Sequence, residues 1–306
     1  VDSLQSLPDR FDGPVRAVVE SMSGATVVRD VLVGLGWDVQ IADAVLVKAM
    51  APLTAKTDQI DARVLADLSA RDLIPAIWVP PFDTRAGRER ARFRISLVQH
   101  RVRVKNRIHA ALIAFAKHYK MTDLFGVGGR QALAVMDIPQ PWSTHIDVQL
   151  DLIDHLDAAI ASHDEVIRRL AAADPDTSLL MTAPGIGAIL GYTIANEIGD
   201  ITRFASPAKL VSYTGLAPSV HQSGDIDRRG PITRRGPKHL RWALIEATTH
   251  AQRHEAFRIR HQRLKTNRYT RIARVDTARR ITRAIWWMLT RRQPFAPRGA
   301  SPLLAA

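Results

Sequence analysis

Val15-Arg-Ala-Val-Val-Glu20 is a short apolar, β-branched run that ends on a carboxylate. Ser-Met-Ser-Gly follows, then a helical segment to about Leu35 and a second strand-like run from Trp37 to Ile41. Ile60, Val64, Leu65 and Leu68 then recur at helical spacing. Strand, helix, strand and helix in that order predict an α/β unit over residues 15–80, a sheet with helices packed on it. Glu20 falls at the carboxyl end of its strand, the edge where such sheets place their sites.

Two more acids stand out in this unit. Asp58 and Asp61 lie in Lys56-Thr-Asp-Gln-Ile-Asp61 at the start of a helix, three apart and so on one face. Converging with Glu20, they would supply hard oxygen donors for two divalent cations, which steady the attacking and leaving oxygens of a phosphoryl displacement. The plainer account stays open: Asp58 as a helix N-cap and Asp61 as a first-turn partner of the dipole.

The middle of the chain has another character. From about Asp83 to Tyr119 it is arginine-rich and helical, with Leu97, Val104 and Ala111 seven apart and Ile108 and Phe115 four residues after the last two. Ile146, Ile153, Ile160 and Ile167 also recur every seven residues. Two such stripes close on each other as an antiparallel coiled coil, or on a second copy of the chain. Arg88, Arg90, Arg92, Arg94, Arg101, Arg103, Lys105 and Arg107 would then cover the outer faces. With few acids between them they suit a nucleic-acid backbone, against the plainer solvated helix surface.

After Asp174 and Pro175 a third region begins, with Gly185, Gly187 and Gly191 in Ala183-Pro-Gly-Ile-Gly-Ala-Ile-Leu-Gly191. A dinucleotide fingerprint is disfavoured there, because no good strand precedes the glycines and Pro184 interrupts the turn. A helix-hairpin-helix fits better, its tight turn at Gly185 and Gly187 offering free amides to a phosphate; a plain interhelical turn fits as well. The segment Gly215 to Arg241 is punctuated by glycine and proline and excludes a regular helix. It carries Ser219 and Ser223 beside Arg228, Arg229, Arg234, Arg235, Lys238 and Arg241. Hydroxyls on a loop among guanidinium groups are what attack on phosphorus requires, and a solvated basic loop with turn-capping serines is the alternative. Beyond Arg241 the chain reads as mostly helical with a loose proline-rich tail, Trp286 and Trp287 serving core or interface.

The 306 residues suffice for two or three domains, and the net charge of +13 points to a polyanion, nucleic acid before membrane. No apolar stretch is long enough to span a bilayer, so no membrane role and a cytoplasmic location are expected. The absence of cysteine excludes disulfides and thiolate metal sites.

Several stretches together resemble a known family. Lys56-Thr-Asp-Gln-Ile-Asp-Ala-Arg-Val-Leu-Ala, Leu97-Val-Gln-His-Arg and Asn106-Arg-Ile-His-Ala-Ala-Leu are similar to the amino-terminal part of the DEDD transposases of bacterial insertion sequences, in the 110/116/902 branch. Pro184-Gly-Ile-Gly, Ile198-Gly-Asp, Tyr213-Thr-Gly-Leu-Ala-Pro, Ser223-Gly and Arg235-Gly-Pro-Lys-His-Leu-Arg resemble its carboxy-terminal transposase domain. The resemblance implies an α/β plus α fold: a truncated RuvC-like (ribonuclease-H) domain over 1–82, a long-helix coiled coil over 83–173, and a mainly helical transposase domain over 174–296, with a tail at 297–306.

It also implies chemistry. Glu20, Asp58 and Asp61 match the second to fourth acids of the DEDD set, which bind magnesium (Mg2+). Ser223 matches the serine that becomes covalently joined to DNA, with Ser219 as the fallback. Recombination would be guided by a structured RNA from the element's own end, in a homo-oligomer, dimer or tetramer. The family's first acid sits on an opening strand in a Gly-Ile-Asp context, and Asp2 and Asp12 are poor substitutes because neither lies in an apolar strand. The expectation is an impaired recombinase, the alternative being a relic that only binds nucleic acid.

Overall fold

The computed structural model describes residues 2–5, 11, 13–51, 57–223 and 226–296. The chain divides into two units, Val1–Pro81 and Phe82–Ala306.

The first unit is α/β. A short helix α1 (Asp2–Gln5) precedes strand β1 (Arg16–Glu20), helix α2 (Ala25–Gly34), strand β2 (Asp38–Ala42), helix α3 (Ala44–Met50) and helix α4 (Asp58–Ala70). Strands β1 and β2 are parallel, with Glu20 opposite Ala42 at their carboxyl ends. On the other edge of β2 the chain returns antiparallel, where the Ile77 amide donates to the Ile41 carbonyl at 2.8 Å and Ala42 bridges Ala76. Ala25, Leu32, Val39, Ile41 and Ala42 are buried. Helix α3 goes beyond the sequence expectation. Its run Ala-Val-Leu-Val-Lys-Ala-Met is too short and too evenly apolar to show a helical period. Asp43 starts it, accepting from the amides of Val45 and Leu46 at 2.9 and 3.1 Å.

The second unit is mainly helical. It comprises α5 (Phe82–Ala114), α6 (Val127–Ala134), α7 (Trp142–Ala173), α8 (Pro175–Leu180), α9 (Ala188–Ile198), a 3-10 turn (Ile201–Arg203) and α10 (Pro207–Tyr213). A hairpin of β3 (Pro218–Ser223) and β4 (Ile226–Ile232) follows, then α11 (Lys238–Ala251), α12 (Glu255–Asn267) and α13 (Thr270–Arg291). Helices α5 and α7 lie antiparallel. Ala91 packs with Ile167 and Ala171 at one end, and Ile108 and Leu112 with Ile146 and Ile153 at the other. All four isoleucines of the α7 stripe are buried.

The buried seam of α5 differs from the seven-residue stripe. Gly87, Ala91, Ile95, Ile108 and Leu112 are buried, while Leu97, Val104 and Ala111 are half-buried on the flank. The cause is a second partner: α5 also packs on α9, where a Cβ on Gly87 would stand 1.9 Å from Asn196 Oδ1. Small residues at 87 and 91 let the helices close, and the buried face turns accordingly.

Leu180, Ile194, Ile198, Leu210, Leu240, Leu244, Ile281 and Ile285, from α8 to α11 and α13, form the main core of this unit. Side-chain caps start two of its shorter helices. Asp174 accepts from the Thr177 amide at 3.1 Å ahead of α8, and Ser206 from that of Lys209 at 3.4 Å ahead of α10, each followed by a proline suited to the first turn. Trp286 joins the edge of this core and donates its indole N–H to the Phe204 carbonyl at 2.8 Å, while Trp287 is exposed. No described helix is long and apolar enough to cross a membrane. The tail, 297–306, lies outside the described residues.

Candidate functional site

In the first unit Glu20 and Asp61 line one open cleft of about 600 Å3, together with Lys48, Val45 and Val47 of α3 and Val64 and Leu65 of α4. The parallel pairing of β1 with β2 delivers Glu20 to the carboxyl edge, and α4 brings Asp61 to the same place. The N-cap of α4 is Thr57, whose hydroxyl accepts from the Ile60 amide at 3.3 Å, rather than Asp58. Asp58 is exposed in the first turn and is not among the residues that line the cleft.

The cleft therefore holds two of the three expected carboxylates. Among the described residues no three His, Asp or Glu side chains stand close enough to hold a metal ion. The expected three-carboxylate, two-ion cluster is not assembled there. Magnesium binds through one or two protein carboxylates and completes its octahedron with water and phosphate oxygens, so Glu20 and Asp61 are donors of the chemical type that ion takes. Asp12 lies outside the described residues, as does the side chain of Asp2.

In the second unit the serine segment is a hairpin rather than an irregular loop. Strands β3 and β4 pair antiparallel, Ser223 opposite Ile226, with an irregularity between Pro218 and Val220. The side chains of Ser223 and Arg229 lie outside the described residues. Ser219 is half-buried at the irregularity, and its Oγ lies 2.4 Å from where a Cβ on Gly230 would stand. A side chain at 230 would displace that hydroxyl from its present position.

The cations here divide by role. Arg228, Arg234, Arg235 and Lys238 are exposed. Arg241 instead turns inward, donating from Nη1 to the carbonyls of Thr214 and Arg234 at 3.2 and 3.3 Å. It ties the base of the loop, and burial, aided by Arg234, lowers its pKa. Gly215 and Gly236, at φ +69° and +122°, pass so close to neighbouring backbone that side chains would clash there.

The glycine turn precedes α9. Gly187 is its exposed N-cap and supplies no side-chain acceptor to the first amides. Gly185, at φ +83°, abuts α11: a Cβ there would stand 2.2 Å from the Ala247 carbonyl oxygen. Its demand is set by helix packing.

On α5 the arginines do not all face outward. Arg94 makes a paired contact with Asp164 at 2.7 and 3.2 Å, and Arg101 is ion-paired to Asp157, both acids from α7. The acids missing between the arginines along α5 stand opposite them on the next helix. Arg103 and Arg107 remain exposed, and Lys105 lies over the Phe125 ring at 4.7 Å.

Sequence reasoning missed the most enclosed ionic group. Glu197 of α9 is fully buried and receives Arg92 at both oxygens, at 2.7 and 2.9 Å. Arg88 donates to the carbonyls of Asn196 and Glu197, both at 2.8 Å. The hydrogen bond to Glu197 raises the pKa of Arg92. His239 stands 4.0 Å from the same carboxylate, yet burial, reinforced by Arg92, holds its pKa below the ordinary 6.5. A lone glutamate on an apolar helix was the available signal.

Two family profiles match the chain. One, described as a transposase of the DEDD class, covers residues 2–116, and the other, the Transposase IS116/IS110/IS902 family, covers 177–263. The Yersinia enterocolitica transposase for insertion sequence element IS1328 is 26% identical over 255 residues, 79% of this chain and 72% of the relative. The Moraxella bovis pilin gene-inverting protein is 31% identical over 203 residues, 63% of this chain and 52% of the relative. Sinorhizobium fredii y4qE, provisionally assigned as a transposase, is 28% identical over 197 residues, 62% and 47% of the two chains. The chain thus spans from about half to about seven tenths of the length of these relatives. With both profiles matched in chain order, the chain belongs to the IS116/IS110/IS902 family of insertion-sequence transposases.

Proposed function

We propose that the chain acts as the transposase of an insertion sequence, an enzyme that cuts and rejoins DNA. Glu20 and Asp61 are its carboxylates for a divalent cation, magnesium by the hardness of the donors, with Asp58 at hand one helical turn away. The ion would supply charge neutralisation at a phosphate oxygen. Ser223 is the nucleophile: its hydroxyl gives up a proton to solvent, its oxygen bonds to phosphorus, and the leaving sugar oxygen departs and takes up a proton. The phosphoserine link retains the energy of the phosphodiester, so rejoining needs no nucleotide triphosphate. The exposed Arg228, Arg234, Arg235 and Lys238 hold non-bridging phosphate oxygens. Arg103 and Arg107, and the amides after Gly187, are further backbone contacts. A structured RNA from the element's own end directs the reaction, and the working particle is a homo-oligomer.

The observation that carries this reading is the ordered pair of profile matches, the first enclosing the carboxylate cleft and the second the serine hairpin. The test incubates the 306-residue chain with duplex element ends, the transcript of the element end and magnesium. A denaturant-resistant protein–DNA adduct is expected, lost in Ser223→Ala and kept in Ser219→Ala. The reverse pattern would move the nucleophile to Ser219. No adduct with any variant, alongside intact DNA binding, would leave a nucleic-acid-binding protein without chemistry.

A further inference from the structure

The structure assigns a second DNA contact: we propose that the exposed face of α12 reads duplex DNA through the major groove. This rests on the reading of the chain as a DNA-acting transposase and adds a sequence-reading surface to it. Phe257 and His261 bury one side of α12, His261 Nδ1 meeting Thr277 Oγ1 of α13 at 2.9 Å. The opposite side presents Arg258, Ile259, Gln262, Arg263, Thr266 and Asn267, which line one shallow groove. They recur every four residues in two adjacent rows, so they form one continuous face.

These side-chain types match base edges. Arginine forks onto guanine, glutamine and asparagine pair with adenine in two hydrogen bonds, and an apolar group meets the thymine methyl. Ile259 is exposed in the middle of this polar row, where water gives an isoleucine no gain. The surroundings are cationic. Lys265, Arg268, Arg271 and Arg274 are exposed and, like Arg258 and Arg263, have no acid within ion-pair distance among the described residues. Asp276, the acid on the facing helix, is held by Arg260 at 2.7 and 2.9 Å. Such a field is complementary to phosphates flanking a groove. Shape selects duplex DNA. A helix of 13 residues, about 20 Å long, enters a B-form major groove, whereas the A-form groove of RNA is too deep and narrow for side chains to read.

The experiment selects duplexes from a DNA pool with a randomised centre, using the full chain, and compares four proteins. The parent is expected to enrich a preferred sequence. Gln262→Ala should relax the preference at one base position by roughly ten-fold. Arg258→Lys with Arg263→Lys keeps the charge but not the fork, so total DNA affinity should hold while the preference flattens. Arg258→Ala with Arg263→Ala should weaken binding to every duplex. The inference is overturned if all three variants retain the parent's affinity and preference, or if they lose binding only to an RNA duplex of matching sequence. Failure of the parent to bind any duplex DNA would instead remove the functional reading on which the inference rests.

Discussion

On α5, Arg92, Arg94 and Arg101 each end on a carboxylate of another helix, whereas on α12 and α13, Arg258, Arg263 and Arg274 are exposed with no acid within ion-pair distance among the described residues. As sequence the two stretches are alike, arginine-dense helices with few acids of their own. What separates them is the element opposite. Helices α7 and α9 bring Asp157, Asp164 and Glu197 to α5, and burial makes those pairs part of the packing. Helix α13 offers α12 only Asp276, already taken by Arg260. A count of cations along a helix therefore overstates the polyanion surface where a second helix carries the neutralising charges.

The sharpest way to break the contrast is at Glu197. Removing Arg92 leaves that carboxylate enclosed without its forked partner, and an uncompensated buried charge costs about 3 kcal/mol. Arg92→Ala should shift the urea midpoint to match, with an unchanged slope. Arg92→Lys should recover part of the loss, since it restores charge without the second hydrogen bond. An Arg92→Ala chain as stable as the parent would mean that the pair is screened, and the contrast with α12 would collapse. Arg94→Ala, at a pair both of whose members are mostly enclosed, should cost about 1.5 kcal/mol, measured in the same way.

A titration sharpens it further. Burial lowers the pKa of His239 and of His261 below the ordinary 6.5, so both are neutral in the folded chain and take up protons more readily when it unfolds. Their contribution to stability is complete above that pH and is lost as pH falls toward the folded values. Around His261, Lys265 and Arg274 add to the lowering and Asp276 opposes it. The carboxylates behave differently: Arg130 holds Asp154, and Thr202 holds Asp200, below the ordinary 3.8, so their contributions disappear only in stronger acid. Melting temperature should be level from about pH 8 to 7 and decline from about pH 6.5 downward. His261→Gln should flatten that decline, and an unchanged acid limb would show that another group carries it.

Local elements were legible where a single periodicity decided them. The run ending at Glu20, its partner strand and the helix at Asp58 lie within a residue or two of their expected bounds, and the α7 isoleucines are all inside. Legibility failed where two requirements met on one segment. Pro218 and Pro231, with the charged run between them, hid β3 and β4, although a Gly-Asp pair between two runs is, as sequence, a hairpin signal. The seam of α5 was displaced because α9 claims Gly87, while Ala91 packs among residues of α7 and α9 together. Glu197 and Arg92 meet across 105 residues, and no local pattern encodes that distance. Helical spacing puts Asp58 and Asp61 within one turn of α4, but it says nothing of which one lines the cleft with Glu20.

The smallest effect is the most discriminating. Arg258→Ala and Arg263→Ala remove exposed cations that neither pack nor pair among the described residues, so each should change stability by less than ~0.5 kcal/mol. Their signature is the salt dependence of duplex binding. Removing one cation from a phosphate should reduce the slope of log affinity against log salt by about one. Arg101→Ala inverts the prediction, with a small loss of stability, within ~1 kcal/mol for a half-exposed pair, and an unchanged slope. If Arg101→Ala moved the slope and the α12 variants did not, then the ion pair to α7 would open on DNA and the groove on α12 would be bystander surface. Measuring both quantities on both helices thus separates cations that hold the fold from cations that hold the substrate, which charge alone does not.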